Sequence, residues 1–231
     1  MTKFNVTEMF HSIAGEAPRI GNNIVFLRLA KCNLKCSWCD SKYSWKEGRD
    51  ISIKEVIDYI KATNANGLSI TGGEPLLQRE TIIQLVNVIS ERTDFPPSFY
   101  IEIETNGTIN PGAILLYSSM VRFNVSPKLE NSGNSFYDRY RIEPLTLFSK
   151  DEFRYKVILK FVYTDNSGLE EIKQIIKNFG FQKFQVYLMP EGITRSKQLA
   201  SQQRVVDVAL ENGWNFSPRL HVLIWNTKKG V

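Results

Sequence analysis

Cysteine is scarce in this chain, three in 231 residues, and histidine is scarcer still, with two. No apolar run approaches the roughly 20 residues that a membrane-spanning helix needs, so a bilayer partner is not expected. The opening Met1-Thr2-Lys3-Phe4-Asn5 lacks the basic-then-apolar pattern of an export signal, and a cytoplasmic location is the expectation. Neither sign of charge dominates, since 29 Lys and Arg face 24 Asp and Glu for a net +5. The basic residues are spread along the chain, so no nucleic-acid stripe can be read and no direct nucleic-acid partner is expected. A mildly basic surface favours an acidic electron donor or an anionic substrate equally. Internal repeats and linkers are also missing. With 42% hydrophobic residues there is enough for a real core, and a single domain over 1–231 is expected.

What the chain does have is concentrated. All three cysteines fall in Cys32-Asn33-Leu34-Lys35-Cys36-Ser37-Trp38-Cys39-Asp40-Ser41, with three and then two residues between them. A disulfide would use two and strand the third, and such bridges suit secreted proteins. A closed zinc site needs four ligands and would have to recruit His11 or His221 from far away. Cubane iron–sulfur clusters normally take four thiolates, so three would leave one iron open to a non-protein ligand.

The remaining sequence alternates strand and helix patterns. Ile24–Ala30 is nearly all apolar, as expected of a strand buried on both faces. Arg28 interrupts it, and a charge there needs a partner, either a structural carboxylate or a substrate carboxylate. Ser52 and Glu55 make a capping box before Ile53, Val56, Ile57 and Ile60. Leu68–Thr71 reads as a strand running into Gly72-Gly73-Glu74-Pro75, followed by a helix with Ile82, Leu85, Val86 and Ile89 inward. Phe99–Glu104 runs into Glu104-Thr105-Asn106-Gly107, and Val121–Val125 into Ser126-Pro127-Lys128. Residues 4–16 read as a short extended piece entering a loop, and 130–141 as a mobile loop. Val157–Tyr163 is a strand, then Ser167 and Glu170 repeat the capping-box pattern before a helix ended by Gly180. Lys183–Met189, Arg195–Glu211 and Arg219–Trp225 read as strand, helix and a last strand. This alternation predicts an α/β fold with mainly parallel strands. The chain is too short for a closed eightfold barrel of about 250 residues, so an open, partial β/α barrel fits better.

With its aromatic residue just before the third cysteine, the cysteine loop resembles that of radical S-adenosylmethionine (SAM) enzymes. Gly-Gly-Glu-Pro, Glu-Thr-Asn-Gly and Ser-Pro-Lys at strand ends strengthen the likeness. More narrowly, the chain resembles the 7-carboxy-7-deazaguanine synthase family over essentially its full length. The residues carrying this are Ser12-Ile13-Ala14-Gly15-Glu16, Arg28, Cys39-Asp40-Ser41 with Tyr43 and Trp45, Ser126-Pro127-Lys128, and Leu220-His221 through Trp225 to Lys229-Gly230-Val231. The resemblance implies that Cys32, Cys36 and Cys39 hold a 4Fe-4S cluster whose open iron chelates SAM. Reductive cleavage then releases a 5′-deoxyadenosyl radical, and cofactors of this kind carry the hard chemistry while the protein supplies geometry.

It further implies ring contraction of 6-carboxy-5,6,7,8-tetrahydropterin to 7-carboxy-7-deazaguanine with loss of ammonia. Trp38, Cys39, Asp40, Gly73, Glu104, Ser126, Pro127 and Lys128 are then expected around SAM, with Glu74 less so because backbone does the work in glycine-rich turns. Ile13, Ala14, Gly15, Arg28, Thr71, His221 and Val231 are expected at the pterin, and Ser41 at an assisting Mg2+. Ser41 could equally cap the turn after the cluster loop. Two positions depart from the family pattern, Ala14 where glutamine is usual and Ala17 where glycine is usual. A flavodoxin- or ferredoxin-type reductant and a homodimer are the expected partners. Two other readings stay open, an activating enzyme that installs a glycyl radical on a partner protein and a three-cysteine zinc module.

Overall fold

In the computed structural model, which describes residues 2–231, the apolar run after Asn23 becomes strand β2 (Asn23–Leu29), paired along both edges. On one side lies antiparallel β1 (Lys3–Ile13), itself flanked by the short β3 (Arg49–Ser52). On the other side every strand runs parallel. These are β4 (Gly67–Gly72), β5 (Tyr100–Thr105), β6 (Val121–Val125), β7 (Val157–Tyr163), β8 (Val186–Pro190) and β9 (Asn215–Phe216). The order β3-β1-β2-β4-β5-β6-β7-β8-β9 leaves β3 and β9 as edges that do not meet. The sheet is a partial, open β/α barrel, as expected.

Parallel neighbours need crossovers, and helices supply most of them. They are α1 (Ile53–Thr63), α2 (Arg79–Ser90), α3 (Ala113–Tyr117), α4 (Phe136–Arg139), α5 (Ile142–Phe148), α6 (Leu169–Phe179), α7 (Arg195–Asn212) and α8 (Leu220–Trp225). Helix α1 starts where the capping box puts it. Ser52 Oγ accepts from Glu55 N at 3.2 Å, and Glu55 returns a bond to Ser52 N at 2.8 Å.

Side chains alternate faces along a strand, and here the two faces have opposite chemistry. Toward the helices point Val25, Leu27 and Leu29 of β2, Ile101 and Ile103 of β5, Phe123 and Val125 of β6, and Leu159 and Phe161 of β7, all in the core. Toward the concave side point Arg28, Thr71, Glu102, Glu104, Asn124 and Lys160. The outer face makes the fold cohere, and the inner face is left free for chemistry.

Four local expectations change. Residues 4–16 are mostly strand rather than loop entry, because β1 is hydrogen-bonded to strands on both sides. The cap near α6 is Asp165, which accepts from Ser167 N at 2.8 Å and starts a single tight turn at Asn166–Gly168, so Ser167 and Glu170 form no capping box. Residues 183–185 form a tight turn, and β8 begins only at Val186. Residues 220–225 are helix α8, not a strand. The edge place beside β8 is already taken by Asn215–Phe216, so this short apolar run coils back over the concave face.

Candidate active site

The parallel strands end around a cavity of about 440 Å³. Its wall includes Cys32, Cys36 and Cys39, all free thiols. The loop holding them is braced from two directions. Asn106 Nδ2 donates to Asn33 Oδ1 at 2.9 Å, and Asn33 Nδ2 to Thr108 Oγ1 at 2.8 Å, tying it to the turn after β5. The segment expected to be a loose loop, 130–141, supplies the other brace. Lys35 N donates to Asn134 Oδ1 at 2.8 Å, Ser37 N to Ser132 O at 2.9 Å and Trp38 Nε1 to Asn131 O at 3.1 Å.

The sulfurs themselves accept hydrogen bonds. Leu34 N donates to Cys32 Sγ at 3.4 Å and Asn134 Nδ2 to Cys36 Sγ at 3.3 Å. Burial pushes the Cys32 thiol up to about 11, against the opposing Leu34 N–H. Among the described residues no three His, Cys, Asp or Glu side chains gather into a closed metal site. The donor chemistry fits a cluster nonetheless, with three thiols on one wall, N–H donors aimed at two of them, and Lys128 in the same cavity. For a zinc module the fourth ligand is the difficulty, since His11 bonds Asn23 away from this cavity and His221, though it lines the cavity, is seated against Gly15 and Glu16.

Two glycines are needed here for close approach. A Cβ on Gly73 would lie 2.0 Å from Lys31 O, so the cluster loop can cross the end of β4 only over a bare backbone. A Cβ on Gly15 would lie 2.1 Å from His221 Nδ1, so Gly15 is where α8 seats its histidine. Glu74 has a structural job. Fully buried, it accepts from Leu76 N at 3.0 Å, Thr105 Oγ1 at 2.7 Å and Asn106 N at 2.7 Å, locking the ends of β4 and β5 together.

The same cavity holds a charge network that reaches the cysteine loop through Asp40. Glu16 accepts from Lys160 Nζ at 2.6 Å and from Arg219 Nε at 2.9 Å, and Arg219 also pairs with Asp40. Burial alone would raise the Glu16 carboxyl, but Lys160 and Arg219 outweigh it and hold it well below the usual carboxylate range. Burial would lower the pKa of both cations, but Glu104 and then Glu16 overcome it at Lys160, and Glu16 and then Asp40 at Arg219, raising both. His221, with Nε2 3.9 Å from Glu16 Oε1, is pushed down by burial and is neutral near pH 7. Thr71 Oγ1 donates to Glu104 Oε2 at 3.1 Å, and Lys128 Nζ donates to Ser126 Oγ at 2.8 Å while lying 5.8 Å from the Trp38 ring centre.

Arg28 has the structural carboxylate partner that its burial demanded, because its Nε donates to Glu8 at 2.6 Å and Tyr43 Oη steadies the same oxygen at 2.8 Å. Its Nη1 approaches Ser41 Oγ at 3.4 Å, and Ser41 in turn donates to Asp40 Oδ1 at 3.0 Å. Every residue singled out from the sequence for cofactor, substrate or metal lines this one cavity except Pro127, which is buried outside its lining, and Glu74, which has the structural place described above. Lys160, Arg219, Glu8, Glu102 and Asn124 also line it and were not expected there. Lys160 did carry a signal, a lone charge inside an apolar strand like Arg28.

An open β/α barrel with a three-cysteine loop at the carboxyl ends of its parallel strands defines an enzyme of the radical SAM class. Residues 28–142 match the Radical SAM superfamily model, which implies SAM and a 4Fe-4S cluster. Full-length similarity is more specific. The chain is 32% identical to a 7-carboxy-7-deazaguanine synthase from Halobacterium salinarum, covering 96% of this chain and 90% of the relative. It is also 32% identical to the synthase of that name from Clostridium acetobutylicum, covering 99% of both chains. The crystal structure of QueE from Escherichia coli shares the fold, with a TM-score of 0.71 at 20% identity over 95% of each chain. The chain belongs to the 7-carboxy-7-deazaguanine synthase family.

Proposed function

We propose that residues 1–231 act as one radical SAM domain that contracts the ring of 6-carboxy-5,6,7,8-tetrahydropterin to 7-carboxy-7-deazaguanine, releasing ammonia, in 7-deazaguanine biosynthesis. The observation carrying this is the shared cavity, which three thiols line together with Arg28, Ser41 and the Glu16–Lys160–Arg219 network. Cys32, Cys36 and Cys39 would hold the 4Fe-4S cluster, with Trp38, Asp40, Gly73, Glu104, Ser126 and Lys128 around SAM. When bound, cluster and SAM would supply the radical chemistry needed for hydrogen abstraction from the pterin.

The chain's own residues bind, orient and exclude water. Arg28, fixed along one edge by Glu8, keeps its other N–H groups for the substrate carboxylate. Ser41 offers a hydroxyl beside Asp40, an oxygen donor set that suits Mg2+, which keeps most of its waters. Ile13, Ala14 and Gly15 present backbone to the pterin, with Thr71 and neutral His221 beside them and the Val231 main chain closing the rim. Because these contacts are made by backbone at Ala14, the absent glutamine side chain costs little there. A reducing, cytoplasmic setting, a homodimeric assembly and a small protein reductant complete the reading.

Anaerobic purification with iron and sulfide analysis separates this from a zinc module. Calorimetric titration with the carboxypterin separates it from a glycyl-radical activating enzyme, which has no use for that ligand. Arg28→Ala should weaken carboxypterin binding roughly ten- to hundredfold, the worth of a charge-assisted pair of about 1.5–3 kcal/mol. Iron and sulfide content should stay unchanged. Unaltered affinity in the folded variant would make Arg28 purely structural.

A further inference from the structure

Helix α7 opens with its charges the wrong way round. Arg195 and Lys197 stand in its first turn with no acidic residue beside them, where the helix dipole favours carboxylates. The Arg195 cation is well placed for a different helix. Its Nε donates to Leu223 O at 2.7 Å and its Nη2 to Ile224 O at 2.7 Å, so one planar fork takes two of the last carbonyls of α8. Such carbonyls have no partner within their own helix, and a cation is favoured beside them. Arg195 N also donates to Asn226 Oδ1 at 2.9 Å. Asn226 is the residue that leaves α8, and it does so at φ 57°, a left-handed turn that Asn tolerates better than most side chains.

With six residues, α8 is too short to hold itself and depends on what it is tied to. Its start is moored on the cavity, since Leu220 N donates to Gly15 O at 2.8 Å and Arg219 Nη1 to Gly192 O at 3.0 Å. Its end is moored by Arg195, which is exposed and lies outside the cavity. Beyond that end the whole tail from Thr227 to Val231 lines the cavity. Asn226 N donates to Val222 O at 2.9 Å and Lys228 N to Trp225 O at 3.2 Å as the chain comes round. The direction of the tail is therefore set where the Arg195 fork grips.

We propose that Arg195 is a positioning residue for the carboxypterin, fixing from outside the cavity the end of α8 and the tail that lines it. The inference rests on the proposed function for its ligand and adds the group that holds this part of the site in place. Arg195 bonds only Leu223, Ile224 and Asn226, none of them expected around SAM. Its loss is felt by the ligand that meets α8 and the tail, and SAM is spared.

The test uses the full-length, cluster-loaded enzyme and two readouts. Hydrogen exchange over residues 220–231, followed by mass spectrometry, needs no ligand. Arg195→Ala should speed exchange at the Asn226 and Lys228 amides by about tenfold while the sheet stays as protected as in the parent. Anaerobic calorimetry should then show carboxypterin binding weakened roughly tenfold, with SAM affinity within about twofold of the parent. Iron and sulfide content should not change. Arg195→Lys, whose single ammonium lacks the fork, should fall between parent and alanine variant in both readouts. Unchanged exchange in the alanine variant would overturn the inference. So would faster exchange with full carboxypterin affinity, or equal losses for carboxypterin and SAM. If the parent binds no carboxypterin, the proposed function fails, and the exchange measurement still decides whether Arg195 fixes the tail.

Discussion

Ser41 divides its hydroxyl between Arg28 and Asp40, and that position determines what its substitution does. Ser41→Thr keeps the oxygen and should keep the dependence of turnover on Mg2+. Ser41→Ala removes it and should lower turnover while leaving the cluster absorbance intact. The same Mg2+ response in the alanine variant as in the parent would take Ser41 out of the site. Two further residues near the cavity hold backbone conformations costly for any side chain, Ala17 at φ 58° and Lys31 at φ 73°. The sequence marked Ala17 as standing where its relatives have glycine, and the left-handed φ is the physical reason. At exposed Lys31 glycine should relieve about 1–2 kcal/mol of backbone cost. That exceeds the roughly 0–1 kcal/mol of an exposed ion pair lost with Glu47. Lys31→Gly should therefore raise stability by about 1 kcal/mol in urea unfolding, and a lower midpoint would refute the strain argument.

Glu102 contributes a distinct step to the pH dependence of the folded chain's stability. Burial, then the neighbouring Glu104, pushes its carboxyl up to about 7 against the pull of Arg19, whose Nε is 3.5 Å away. The folded state then holds a proton that the unfolded chain gives up at ordinary carboxylate pH. Stability from this group is complete below about pH 4.5 and falls as pH rises toward 7, by on the order of 3 kcal/mol. Glu102→Gln should flatten that slope in unfolding measured from pH 5 to 8. An unchanged slope would mean the carboxylate is ionised in the fold.

Among the elements, α8 shows most clearly where local pattern stops being informative. Leu220–Trp225 is a short apolar run, and such runs do not distinguish strand from helix by periodicity. Only the occupancy of the edge by β9 settles it, and that is a fact of topology. The buried parallel strands were easier, because burial on both faces leaves continuous Val, Ile and Leu runs. The function of α8 depends on its helical form, which brings Arg219 to Glu16 and lays His221 over Gly15. Gly15→Ala should force the histidine out of place, lowering carboxypterin affinity by about tenfold, since small displacements of positioning groups are costly. SAM binding and cluster content should not move. Full affinity in that variant would show that His221 is no part of the pterin site.

For the molecule as a whole, the cysteine loop was legible and the Glu16–Lys160–Arg219 network was not. The three cysteines lie within eight positions of one another, whereas Glu16 meets Lys160 across 144 residues and Arg219 across 203. Contacts that distant leave no local spacing to read, only lone charges in apolar surroundings. The closed barrel was excluded by length alone, and the open edges at β3 and β9 agree. The central claim is that the cysteine loop and this network act on one small molecule. Its most direct test is an anaerobic reaction of the cluster-loaded protein with the carboxypterin, SAM, Mg2+ and dithionite, followed by mass spectrometry. The account predicts 7-carboxy-7-deazaguanine and ammonia formed in equal amounts over many turnovers, with SAM largely recovered. Steady cleavage of SAM to 5′-deoxyadenosine with the carboxypterin left unchanged would contradict it.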